Sequence, residues 1–211
     1  MQVLTEKEII VIGGGVAGIG TALKLANQGY KVKILERNTL MSGSSGRNPG
    51  RMGHGFHYFD EHTAIQYLRA SLQVQRAYPG FLVGDDLPFE HPLRHGRYYI
   101  TKTSLHSFED ILKIYRVIQD EYTRLVEQDP KNKVFGEPKE FIKILDPKDY
   151  KDLINTDIVA GAVETCEHLF NWPKFSAHIK QILLTHPNIS LLEYSEVMGI
   201  RSRESLDARF T

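Results

Sequence analysis

The first clear pattern is a short apolar run, Glu8 to Ile12 (EIIVI), closed by three glycines. An uninterrupted run of this length, bounded by glycine, predicts a strand buried on both faces. From Val16 to Gln28 the apolar positions Val16, Ile19, Ala22, Leu23 and Ala26 recur at helical spacing, and Gly29 follows as a stop. Val32 to Glu36 (VKILE) reads as a second strand. Strand, helix and strand together have the length of one parallel crossover unit. Met41 to Tyr58 (MSGSSGRNPGRMGHGFHY) then loses all periodicity and is rich in Gly and Ser. A long aperiodic loop is usually functional or disordered, and small residues suit a backbone that approaches a ligand closely.

Further on, Glu61 to Tyr78 predicts a helix stopped by Pro79-Gly80. Arg97 to Thr101 predicts a strand, with Arg97 and Tyr99 on one face and Tyr98 on the other. Ser107 and Asp110 form a capping-box pattern ahead of a helix to Val126, whose apolar face is Ile111, Ile114, Tyr115, Ile118, Tyr122 and Leu125. Phe141 to Leu145 and Ile158 to Val163 read as strands. Asn171-Trp172-Pro173 opens a helix to about Thr185, with proline suited to the first turn. Ile189 to Tyr194 and Val197 to Arg203 read as two more strands.

Composition narrows the class. The 211 residues carry 26 basic and 26 acidic side chains, so no general electrostatic grip on nucleic acid or an anionic membrane is expected. A single cysteine excludes an internal disulfide framework and fits a reducing, cytoplasmic setting. No apolar stretch is long enough to predict a membrane-spanning helix.

The chemistry is concentrated near the start. Gly13-x-Gly15-x-x-Gly18 lies between predicted strand and helix, which is the context a dinucleotide fingerprint requires. Gly13 permits the tight turn, Gly15 lets the backbone approach a pyrophosphate, and Gly18 lets helix and strand pack closely. The helix N-terminus then offers free N–H groups and a positive dipole end. Glu36 ends the second strand, where a carboxylate accepts from ribose hydroxyls and repels a 2′-phosphate. FAD or NAD is therefore favoured over NADP.

VIGGGVAGIGTALKLANQGYKVKILER resembles the N-terminus of FAD-dependent oxidoreductases of the D-amino-acid oxidase and glycine oxidase superfamily. The following SGSSGRNPGRMGHGFHY is similar to the Ser/Gly-rich segment that these proteins lay along the FAD pyrophosphate and flavin. The same stretch resembles L-2-hydroxyglutarate oxidases, departing at Pro49, Arg51 and His57. The resemblance implies an α/β fold: a Rossmann-like FAD/NAD(P)-binding domain with part of an inserted α+β substrate domain. It implies cofactor contacts at Gly13, Gly15, Val16, Ala17, Gly18, Glu36, Arg37, Ser44, Ser45, Asn48, Gly50 and Val197. Arg47 stands where some relatives carry the histidine that attaches FAD, so non-covalent FAD is implied. Residues 1–60 and 165–211 would form the FAD domain, and 61–164 the partial substrate domain. Family members are much longer. The chain is thus expected to be a fragment, the product of an interrupted gene, a reduced descendant, or one of two chains, the second supplying the C-terminal half.

In such enzymes the flavin takes a hydride from an amino acid, secondary amine or 2-hydroxy acid, while the protein orients and polarises the substrate. Arg51 and His54 follow the flavin loop and are the catalytic candidates, Arg51 as a bidentate carboxylate clamp. Arg97 reads instead as a charge on a solvated edge strand. His54, His57 and His62 lack the scaffold of a metal site, so no metal is expected. Cys166 reads as a buried small residue. Two other readings fit the same residues: a catalytically inactive dinucleotide-binding or interaction module, and an NAD-binding dehydrogenase.

Overall fold

A computed structural model describes residues 8–47, 50–88 and 90–200. In chain order the elements are β1 (Glu8–Ile12), α1 (Val16–Asn27), β2 (Lys31–Leu35), α2 (Glu61–Ala77), β3 (Gly96–Thr101), α3 (Phe108–Gln128), β4 (Ile142–Leu145), β5 (Val159–Thr165), α4 (Trp172–Thr185) and β6 (Ile189–Leu192), with short 3₁₀ turns between several of them. The chain divides into two compact units, Met1–Asn48 with Trp172–Thr211, and Pro49–Asn171.

The first unit holds a parallel sheet in the order β1-β2-β6. Ile9 pairs with Val32 and Val32 with Ile189; Val11 pairs with Ile34 and Ile34 with Leu191. These residues share one face, on which Val32 and Ile34 are buried. Ile19, Ala22 and Ala26 of α1 and Phe175, Ile179 and Leu183 of α4 are the buried faces of the two helices.

The other face differs from the sequence expectation. β1 is not buried on both sides: Ile10 is 55% and Ile12 53% exposed, and Leu192 on β6 is also exposed. Right-handed parallel crossovers running in one direction place their helices on a single face. No described element covers the second face. The apolar run EIIVI therefore carries the pattern of a fully covered strand while only one of its faces meets a layer here. The strand expected over Val197 to Arg203 is also absent across 197–200, and the remainder lies outside the described residues.

The second unit has an antiparallel sheet, β3-β5-β4, with Tyr98 and Ile144 both opposite Val163. Helices α2 and α3 pack together, and Leu68 and Leu72 of α2 and Ile111, Tyr115 and Ile118 of α3 are buried. Both helices start where their caps dictate. Asp60 accepts from Thr63 N–H at 2.8 Å and Ser107 from Asp110 N–H at 3.1 Å. Tyr122 anchors the core polar-end first: its hydroxyl donates to Gly136 O (2.9 Å) and accepts from Phe135 N–H (3.1 Å). Cys166 is fully buried and its thiol is pushed up to about 12 by burial.

Candidate functional site

The turn from β1 into α1 is built by three glycines. Gly13 takes a φ of +102°, a region that side chains rarely adopt. Its N–H donates to Leu35 O at 2.8 Å, tying the turn to the end of β2. A Cβ on Gly15 would meet Ser45 Oγ at 3.1 Å, and a Cβ on Gly18 would collide with the Gly13 carbonyl. Helix α1 begins with Gly15 as its N-cap, with no cap from its own side chains and no acid in its first turn. Val16 and Ala17 are exposed there. The serine-rich loop folds back to this end. Met41 N–H donates to Gly14 O at 2.9 Å, and Ser45 Oγ accepts from Val16 N–H at 3.1 Å. Ser44 and Arg47 are exposed.

Glu36 stands just beyond β2. Its carboxylate accepts from Gly14 N–H (2.7 Å) and Asn38 N–H (2.8 Å), which locks the glycine turn to the strand end. The chain after β6 is stitched to the same place, with Ser195 N–H donating to Glu36 O at 2.8 Å. Together Ile12, Gly13, Leu35, Glu36, Arg37 and Ser195 to Val197 line a cleft of about 270 Å³. Sequence-distant Val197 and the fingerprint acid are thus brought to one site.

The remaining candidates fall elsewhere. Asn48 lies outside the described residues. Gly50, with a φ of +74°, belongs to the second unit, where its carbonyl accepts from Phe170 N–H. Arg51 follows it on the surface, its Nε 3.7 Å from the buried Glu167.

His54 is fully buried. Its ring sits 4.0 Å from that of Phe135 and stacks on Phe141 at 5.6 Å. Nε2 lies 3.1 Å from the Cys166 carbonyl and Nδ1 3.0 Å from Ser71 Oγ. A carbonyl only accepts, so Nε2 carries the hydrogen, while Ser71 Oγ beside Nδ1 donates to Leu68 O at 2.8 Å. Burial, with His168 nearby, lowers its pKa to about 3. A neutral imidazole with no exposed surface packs in the core of this unit.

The groups that do accompany Arg51 are His57, Tyr98 and Glu167. Tyr98 donates to Glu167, His57 Nε2 lies 3.0 Å from the Tyr98 hydroxyl, and Arg51 Nη1 donates to His57 Nε2. Sequence reasoning missed Glu167. The available signal was an acid inside TCEHLF, directly after the small and apolar residues of β5. Among the described residues no three His, Cys, Asp or Glu side chains gather as a metal site would need, and no helix is long and apolar enough to cross a membrane.

A family model described as "FAD dependent oxidoreductase" matches residues 8–207. The chain belongs to that family. Among solved structures, this chain resembles L-proline dehydrogenase from P. horikoshii (TM-score 0.56, 22% identity, 93% of this chain and 46% of that one). It also resembles glycine oxidase from Geobacillus kaustophilus (0.55, 21% identity, 93% and 49%). A third match is the dithionite-reduced L-α-glycerophosphate oxidase from Mycoplasma pneumoniae with FAD bound (0.53, 17% identity, 93% and 47%). These likenesses establish the shared α/β fold with its Rossmann-like parallel sheet. The chain spans about half the length of these structures, and 6–12% of the first curated relatives it matches by sequence.

The first unit fits the family's cofactor. A helix end with a glycine N-cap beside small residues suits a pyrophosphate, and a strand-end carboxylate in a cleft suits a ribose.

Proposed function

We propose that the chain holds non-covalent FAD in its first unit and takes part in oxidising a small amine or 2-hydroxy acid that carries a carboxylate. The observation that carries this reading is the joining of the glycine turn, Glu36 and the Ser195–Val197 segment around one cleft. In this assignment Gly13, Gly15 and Gly18 shape the phosphate turn. Val16 and Ala17 open the helix at the phosphates, the Val16 N–H donating to Ser45 Oγ, and Ser44 and Ser45 line them. Glu36 takes the ribose, with Arg37 and Val197 flanking the adenosine. FAD supplies the hydride acceptor when bound. The second unit supplies the substrate-binding group: Arg51 presents its guanidinium to solvent, ready to form parallel hydrogen bonds to a carboxylate. The single buried cysteine fits a reducing, cytoplasmic setting.

Two substitutions separate the roles. Glu36→Ala removes charge-assisted acceptors worth about 1.5–3 kcal/mol, so FAD affinity should fall roughly 10- to 100-fold, read by quenching of flavin fluorescence. Arg51→Ala should leave FAD affinity unchanged while weakening carboxylate ligands. Equal FAD affinity in Glu36→Ala and the parent chain would overturn the ribose assignment.

A further inference from the structure

Glu167 follows β5 with 2% of its side chain exposed, whereas Arg51 has 47% exposed. Every group facing the buried carboxylate is identifiable. Arg51 and His57 come from the 50–58 segment, Tyr98 from β3 and Tyr115 from α3; the His54 N–H donates to Oε1 at 3.3 Å. Arg51 therefore already has a counter-ion on its inner side and water on its outer side. A carboxylate arriving from solvent would put two anions on one cation, one of them out of reach of water. Like charges sharing a buried site favour protonation of one member, and burial already pushes the Glu167 carboxyl above its ordinary value.

We propose that Arg51 exchanges counter-ions: binding of a carboxylate ligand on its outer face is coupled to uptake of one proton by Glu167. The balance is simple. A proton from solvent forms an O–H bond on Glu167, no electrons move, and the ligand's charge replaces the one lost. Tyr98 can follow the change. With Glu167 ionised its hydroxyl donates inward. With Glu167 protonated the Tyr98 hydroxyl accepts from the carboxyl instead. The proposal rests on the Arg51 reading above and adds a pH-linked selectivity for small carboxylates.

Titration calorimetry of the full purified chain with acetate, in two buffers of different ionisation enthalpy, tests it. The wild-type chain should take up protons as acetate binds, and its Kd should weaken as pH rises through the range in which Glu167 ionises. Glu167→Gln should still bind acetate, with no proton uptake and a flat pH profile. His57→Gln should retain the uptake, because the proton goes to Glu167. Acetate binding to the wild-type chain without proton uptake would overturn the coupling while leaving Arg51 as the clamp, and this result needs no variant to fold. Uptake that persists in Glu167→Gln would overturn it as well. Failure of acetate to bind either wild type or Glu167→Gln would overturn the Arg51 reading itself, and the coupling with it.

Discussion

Acidification from pH 7 to pH 5 is expected to cost the second unit about 4 kcal/mol of stability, about 2 from each of two buried histidines. His54 and His168 both direct a ring nitrogen at the Cys166 carbonyl, at 3.1 and 2.8 Å. Burial is the largest cause of the low pKa of each, about 3 for His54 and about 4 for His168, against 6.5 for an unperturbed histidine. A proton added to either would place a charge out of reach of water, and His168 Nε2 has no hydrogen-bond partner among the described residues. Folded pKa values lie below unfolded ones, so the unfolded chain binds more protons between them. The stabilisation is therefore complete above pH 6.5 and is lost as pH falls toward the folded values. At pH 5 both folded values are still lower. The size of the loss then depends on the unfolded value alone, about 1.5 units away at about 1.4 kcal/mol per unit. Glu167, with its carboxyl pushed up, acts in the opposite sense and offsets part of the loss. Urea unfolding followed by a probe in α2 or α3 at the two pH values measures the difference. In His54→Gln the pH dependence should shrink by about half, and in Glu167→Gln it should steepen. Overlapping unfolding curves at pH 7 and pH 5 would show that the histidines are not buried neutral.

These two histidines also mark where the sequence stops being informative. His54 and His57 stand three residues apart on one glycine-rich loop, and nothing local separates a core imidazole from an exposed one. The difference is made by Ser71, Phe135, Phe141 and Cys166, far away in sequence. The β1–α1–β2 unit was readable because its determinants are local: period, glycine spacing and a terminal acid. The capped start of α3 was readable for the same reason, since Ser107 and Asp110 meet within one turn. Arg97 on the edge strand β3 does pair with the opposite-strand Glu164 at 2.8 Å, an exposed ion pair of small worth. The exposure of Ile10 and Ile12 was not readable, because an apolar run reports what a strand can bury and not which layers are present to cover it. Nor was Glu167, whose burial depends on Arg51 and Tyr98 from two other segments.

Alanine should have opposite effects at two glycines of α1 separated by a single residue. Gly20 is exposed, and a Cβ built on it meets nothing within 4 Å. Gly20→Ala should therefore stabilise the first unit by about 0.5–1 kcal/mol, the helix-propensity gain of alanine over glycine. Gly18 lies under the turn, and a Cβ there would overlap the carbonyl oxygen of Gly13. That obstacle is backbone, so no rotamer change can relieve it; either α1 moves off β1 or the turn opens. Overpacking of a fixed contact costs about 1–3 kcal/mol. The displacement also falls on the residues assigned to the phosphates, because Gly13 is held to Leu35 and Gly14 to Glu36 by hydrogen bonds that the moved turn would stretch. Gly18→Ala should thus lower the unfolding midpoint and abolish retention of FAD after desalting, whereas Gly20→Ala should raise the midpoint and retain FAD as the parent chain does. The pair is informative because both changes add one methyl group to the same helix. Were Gly18→Ala to hold FAD normally, the close approach of α1 to the Gly13 turn would not be what shapes the phosphate site.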